Sequence, residues 1–260
     1  MVPREGILRY ETNGREFDFP SFGAIPTLRF IIASTPRCGS NLLQRALWRS
    51  GLAGAPEEYL AAGYVADFAR RFPGAFDLGD AAGKDLYVRL LWRIRTSPNG
   101  VFGLKLHGSH VAQAETAEGR LLATLEGSKW LWIRRHNRVA QAISYLRADQ
   151  TGIWILDGEW LSDRPATGEP SYSREGIEAR ISQIDAEENA WASRLAGLPS
   201  SVVCEVYYED LVDNYAATMS DVFSFLDVDV PNGVPQPGIR RQADEQSAQW
   251  ERRFKSEIGG

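Results

Sequence analysis

The passage that most constrains this chain runs from Arg29 to Gly51, RFIIASTPRCGSNLLQRALWRSG. Phe30, Ile31, Ile32 and Ala33 form a short apolar run of the kind a parallel sheet buries on both faces. Ser34 to Asn41 follows as a loop rich in Pro, Gly and small hydroxyl side chains. Leu42, Leu43, Ala46 and Leu47 then share one helical face, with Ser40 or Asn41 placed to cap the helix and Gly51 to end it. A helix N-terminus carries free N–H groups and partial positive charge, so a strand, tight loop and helix in this order bind oxyanions. Arg37 adds a cation, and Ser40 and Asn41 add side-chain donors. The passage is built to hold a phosphate or a sulfate.

Three loop chemistries compete for that role. The nucleotide-triphosphate loop needs G-x-x-x-x-G-K-[ST], and the chain has no such string. Its Gly83-Lys84 pair is followed by Asp85 and follows no evident buried strand. A phosphatase loop needs an arginine at a fixed distance after a cysteine nucleophile. After Cys38 that position holds Gln44, and Arg45 comes one step late. The third chemistry is that of enzymes using a nucleotide sulfate donor, which surround the donor's 5′ end with Arg, Gly, Ser and backbone N–H groups.

Pro36-Arg37-Cys38-Gly39-Ser40-Asn41-Leu42-Leu43 resembles the P-R-S-G-S-T-L-L loop of sulfotransferases. More narrowly, Gly51-Leu52-Ala53-Gly54-Ala55-Pro56-Glu57-Glu58-Tyr59 resembles the G-x-A-G-x-P-x-E-[FY] segment of the bacterial trehalose 2-sulfotransferase family. Further matches follow in order: Phe102 to Leu106, Arg134-Arg135 with Gln141 to Ser144, Gln150 to Trp154, Tyr207 to Leu211, and Arg241 to Asp244 with Trp250 and Arg253. They cover nearly the whole chain. Cys38 and Asn41 depart from the usual Ser and Thr, but the backbone cradle survives both changes and Asn still donates.

The resemblance implies a PAPS-dependent carbohydrate sulfotransferase, with 3′-phosphoadenosine 5′-phosphosulfate (PAPS) as donor, a small-molecule or glycan acceptor and no metal. It implies that Arg37, Cys38, Gly39, Ser40 and Asn41 surround the 5′-phosphosulfate. It implies that Arg134 or Arg135, Ser144, Arg241 and Gln242 hold the nucleotide and its 3′-phosphate. Glu58 matches the family's general base, a carboxylate that takes the acceptor's proton as the S–O bond forms. Lys105 lies in a buried strand, where a lysine needs a partner; it either stabilises the leaving phosphate, orients the acceptor or forms an ion pair. His107 is the alternative base, and His107 with His110 supplies too few ligands for a metal site. Tyr59, Tyr64, Trp154 and Trp160 are candidates to stack on a sugar or an adenine; Tyr59 and Trp154 are placed with Lys105 and His107 in the acceptor pocket. The competing readings are a P-loop-type small-molecule kinase and a non-catalytic nucleotide-binding relative.

Charge and composition narrow the partners. A formal charge of −5 argues against non-specific nucleic-acid binding, so an anion site is a local basic pocket in an acidic protein. Two distant cysteines, Cys38 and Cys204, suggest no disulfide framework. No apolar run approaches a membrane span, and the expectation is a cytoplasmic protein. A homodimer is expected from the resemblance alone.

Strands are predicted over Val101–Leu106, Lys129–Ile133 and Val202–Tyr207. Helices are predicted over Lys84–Arg95 with Leu86, Leu90, Leu91 and Ile94 inward, Thr116–Leu125, Val139–Arg147, Glu175–Leu195 and Tyr215–Leu226. Their alternation indicates an α/β fold, a P-loop-like three-layer α/β/α arrangement around a central, mostly parallel sheet. Sites in such sheets lie at the carboxyl ends of strands. Leu8 to Phe19 reads as an N-terminal β-hairpin turning at Asn13-Gly14, and residues 151 to 174 as a long irregular connection. The whole reads as one domain over residues 1–260, with residues 1–29 as the hairpin extension.

Overall fold

The structure, a computed structural model, describes residues 14–79, 81–109, 126–154, 168–230, 233–236 and 244–259. Four strands, β1 (Leu28–Ser34), β2 (Val101–His107), β3 (Lys129–Arg134) and β4 (Val203–Tyr207), pair in the order β2-β1-β3-β4, all parallel. Eight helices surround them among the described residues: α1 (Ser40–Arg49), α2 (Ala62–Arg71), α3 (Ala81–Arg95), α4 (Arg138–Thr151), α5 (Arg174–Leu195), α6 (Tyr208–Asp213), α7 (Tyr215–Phe225) and α8 (Glu245–Ile258).

Strand alternation builds two cores. Phe30 and Ile32 of β1 face α1, α6 and α7 with Leu131, Ile133 and Val206. Ile31 and Ala33 face the other way, with Leu104, Leu106, Trp130 and Trp132, against α2, α3 and Trp191 of α5. The result is an α/β/α sandwich. A third cluster joins α4, α5 and α8 through Ile143, Leu146, Ile177, Ile184, Trp250 and Phe254.

The strand order fixes where ligands go. The chain leaves β1 for β2 on one side and enters β3 on the other, so the carboxyl ends of β1 and β3 flank a topological switch point, where open α/β sheets form a binding crevice.

Three local expectations are corrected. Gly14 has φ −65°, extended backbone incompatible with a type I′ turn, and Arg15–Phe17 is a short 3₁₀ helix. The second limb of the expected hairpin is therefore absent: Phe17 is buried against Trp48, and the Phe19 N–H donates to Ile94 O at 2.9 Å. The first limb lies outside the described residues, as does the Thr116–Leu125 helix. Neither Ser40 nor Asn41 caps α1; Gly39, left-handed at φ 94°, occupies that position. On α3, Leu91 is buried and Leu90 and Ile94 pack against the same core, but Leu86 is exposed, with Tyr87 and Val88 buried in its stead. Residues 155–167 of the long connection are not described, while α4 runs on to Thr151 before Gly152 ends it in a left-handed turn.

Candidate active site

The loop from β1 to α1 reverses within five residues by placing Arg37 (φ 64°) and Gly39 (φ 94°) in the left-handed region. Gly39 has a second reason to lack a side chain: a Cβ there would lie 2.5 Å from Cδ2 of Tyr208. Gln141, wholly buried on α4, braces the loop from above, donating to Thr35 Oγ1 at 2.9 Å and to Pro36 O at 2.8 Å. From below, the Trp191 indole N–H donates to Ser34 O at 2.9 Å.

Two guanidinium groups meet at this loop. Arg37 Nε donates to Ser144 Oγ at 2.9 Å, and its Nη1 donates to the carbonyl of Trp154. Arg135 Nη1 donates to Arg37 O at 3.3 Å, its guanidinium lying 4.5 Å over the Tyr208 ring. Burial, and then the like charge of Arg135, pull the Arg37 pKa down to about 10. Two neighbouring cations at a helix N-terminus make a place where an anion lowers the energy of both.

A second cluster lies along β2. Because β2 is an edge strand, its outer backbone groups need partners. The segment 54–58 provides one, as Glu57 O accepts from the Lys105 N–H at 2.9 Å. Gly54 (φ 64°) lets this segment lie close, since a Cβ would sit 2.9 Å from Val101 O. Glu57 turns inward, buried and held by Gln44 and by the Tyr64 hydroxyl at 2.8 Å. Glu58 turns toward Lys105 and His107. Lys105, 2% exposed, donates to Asn41 Oδ1 at 2.5 Å and pairs with Glu58 Oε1 at 3.0 Å. His107 Nε2 reaches the same Oε1 at 3.2 Å, and its Nδ1 lies 2.9 Å from Ser34 Oγ, its register partner on β1. Asn41 thus ties the carboxylate cluster to the first turn of α1.

The geometry sorts the expected residues. Arg37, Asn41, Ser144 and Arg135 converge on the loop, and Glu58, Lys105 and His107 on its β2 side. Ser40 is buried at the start of α1. Arg134 is committed elsewhere, to Glu188 at 3.1 Å and Glu205 at 3.3 Å, over the Trp132 ring. The Cys38 side chain packs in the core and burial pushes its thiol pKa up, which removes it as a nucleophile and leaves only its backbone to the loop. Tyr59 is corrected outright: it is fully buried beside Phe68 and Phe102, its hydroxyl donating to Ala55 O. Tyr64 is likewise buried. Trp154 is exposed, edge-on to Tyr145, and meets the loop through its carbonyl. His110, Trp160, Arg241 and Gln242 lie outside the described residues. Lys84 lies within α3, away from any strand-to-helix loop. Both cysteines are free. Gln141, Ser34 and Tyr208 carry the loop's support although residue type alone gives them no role. Only the membership of Gln141 and Tyr208 in matching segments marks those two.

Among the described residues no helix is long and apolar enough to cross a membrane, and no group of three His, Cys, Asp or Glu side chains is placed to hold a metal. The sequence model of the family described as Stf0 sulphotransferase matches residues 29–257. The chain is similar to trehalose 2-sulfotransferase of Mycobacterium tuberculosis (strain Erdman), at 28% identity over 258 residues, 88% of this chain and 94% of that one. It is also similar to trehalose 2-sulfotransferase of Mycolicibacterium smegmatis, at 29% identity over 262 residues, 88% of this chain and 95% of that one. Among solved structures, the sulfotransferase domain from the curacin biosynthetic pathway aligns with a TM-score of 0.49 at 16% identity, over 91% of this chain and 99% of that one.

Proposed function

This chain belongs to the Stf0 sulphotransferase family, and from that premise we propose that it moves a sulfuryl group from PAPS to a carbohydrate hydroxyl, acting as one sulfotransferase domain. The observation that carries the donor assignment is the meeting of Arg37 and Arg135 at the N-terminus of α1, beside the switch point. Two cations meeting at a partly buried loop fit a nucleotide with phosphate at both ends of its ribose. The donor supplies an activated sulfate whose S–O bond to the 5′-phosphate breaks as the acceptor oxygen attacks.

The chain's own groups do the rest. Arg37 and the N–H groups of Gly39 and Ser40 offset charge at the 5′ end. Arg135 rather than Arg134 serves the 3′-phosphate, with Ser144 holding Arg37 in place; Arg241 and Gln242 complete the nucleotide site in this reading. Glu58 takes the acceptor proton. Lys105 sits between Asn41 and Glu58 and orients the carboxylate. The curated relatives are named for trehalose, and trehalose is the first acceptor to try. A cytoplasmic homodimer belongs to the same reading and is checked by light scattering and cell fractionation.

Thermal shift tests the donor site. A ligand at a hundred times its dissociation constant stabilises by about 2.7 kcal/mol. Adenosine 3′,5′-bisphosphate should raise the melting temperature clearly and ATP with magnesium should not, and Arg37→Ala should abolish the response while the variant stays folded. Equal responses to the two nucleotides would refute the donor assignment and favour a kinase. A donor response with no labelled sulfate transferred to any member of a sugar panel would favour the non-catalytic relative.

A further inference from the structure

Two side chains that sequence reasoning treats as rival bases are in contact. The parallel register sets His107 beside Ser34, and the edge segment brings Glu58 onto the ring's other nitrogen. Lys105 and His107 both approach Oε1, at 3.0 and 3.2 Å. A carboxylate gripped at one oxygen by two donors is turned to a fixed orientation. For His107 to grip it, Nε2 must carry a hydrogen. The Ser34 hydroxyl makes that possible, because it lies within reach of both Nδ1 (2.9 Å) and Leu106 O (3.0 Å). When the hydroxyl donates to Nδ1, the neutral ring keeps its hydrogen on Nε2. When it donates to Leu106 O instead, Nδ1–H donates to Ser34 and the ring must be an imidazolium to satisfy Glu58 as well.

We propose, resting on the assignment of Glu58 as base, that His107 is a positioning residue: its Nε2–H donates to Glu58 Oε1 and, with Lys105, fixes the orientation of the carboxylate that takes the acceptor's proton. Ser34 sets the ring's tautomer. The other carboxylate facing this corner is Glu187 of α5, which accepts from the Gly108 N–H at 3.2 Å. Burial raises its pKa and the charge of His107 opposes the rise. Lys105, Glu58 and Glu187 are charged groups that face this corner.

Two measurements on the full chain test this. Nitrogen-15 NMR of the imidazole, assigned with His107→Gln, should show hydrogen on Nε2 where the ring is neutral, and Ser34→Ala should weaken that preference. A bare Nε2 in the wild-type protein overturns the proposal whatever the acceptor is. In sulfate transfer from labelled PAPS to trehalose, His107→Leu should lower kcat about tenfold or more, with KM for PAPS changed less than about twofold. His107→Gln, which offers an N–H at a similar reach, should recover most of the loss. In a Glu58→Gln background, His107→Leu should cost nothing further; an equal loss there means that His107 acts independently of Glu58 and sinks the proposal. If Glu58→Gln alone leaves turnover intact, the base assignment fails instead, and the tautomer measurement still judges the contact.

Discussion

Gly39→Ala is the sharpest test of how the loop is built. The substitution adds one methyl group at φ 94°, where an L-residue pays about 1–2 kcal/mol. The methyl also arrives 2.5 Å from Cδ2 of Tyr208, with Cγ and Cβ at 3.3 and 3.4 Å. Carbon atoms settle at about 3.5–4.0 Å, so the ring must retreat by roughly 1 Å. It is not a loose end, because the Arg135 guanidinium stacks 4.5 Å above it. Overpacking of this kind costs about 1–3 kcal/mol. The sum is about 2–5 kcal/mol, which for a chain of this size lowers the melting temperature by about 4–20 °C. Urea and thermal unfolding measure the loss. A cycle with Tyr208→Ala separates its parts, since removing the ring relieves the clash but not the backbone strain. The two substitutions should couple favourably by about 1–3 kcal/mol. A Gly39→Ala protein that melts with the wild type, or a cycle with no coupling, refutes the account of the loop as a turn closed against Tyr208.

The arginine pair should separate by readout: Arg135→Met loses the stabilisation by adenosine 3′,5′-bisphosphate, whereas Arg134→Met keeps it. Arg134→Met instead costs about 1–3 kcal/mol of stability, seen in urea unfolding, because buried Glu188 is left to Arg138 alone. Gln141→Leu removes both bonds that brace the loop and should cost about 1–3 kcal/mol while weakening the bisphosphate response in the same thermal-shift assay. Hydrogen bonds from Arg147, with those from Ser247, hold the Asp244 carboxyl well below the usual carboxylate range. A depressed carboxyl contributes stability above its unfolded-state value of about 3.9, and loses it as pH falls through the folded-state value. Asp244→Ala should therefore melt lower than wild type near pH 6, by about 1 kcal/mol for a lost cap, and the gap should close as pH drops below about 4.

The fold was legible wherever one short pattern decides one element. Phe30 to Ala33 is apolar on consecutive residues because both faces of β1 are covered, and that run alone implies helices on two sides. Asn13-Gly14 misled because a hairpin needs two strands to reward its turn. Here Phe17 gains more by burial against Trp48 than by alternating along a strand, and Gly14 keeps a negative φ. Leu86 misled because a stripe with two apolar neighbours, Tyr87 and Val88, has two possible phases.

The site was legible in its residue types and illegible in its partners. Glu57 and Glu58 are chemically equivalent in the sequence; the edge of β2 separates them, since the backbone that gives Glu57 O to Lys105 sends the two side chains opposite ways. The same alternation buries Tyr59, the neighbour that a motif alone would send toward a sugar. Arg134 and Arg135 are told apart by their partners: Glu188, on a helix 54 positions away in sequence, and Glu205 hold Arg134. A side chain at a strand's end belongs to whichever helix passes over it, and Arg135, one step beyond β3, escapes α5 and reaches the loop. Loss of the Arg134–Glu188 pair would therefore threaten the site as well as stability, because it leaves Arg134 held only on the Glu205 and Tyr207 side and lets its guanidinium compete with Arg135 for the same phosphate. Glu188→Leu should then raise the affinity for inorganic sulfate while lowering the preference for the bisphosphate over it. An unchanged preference in that variant would show that Arg134 is kept from the loop by the course of β3 and not by its carboxylate partner.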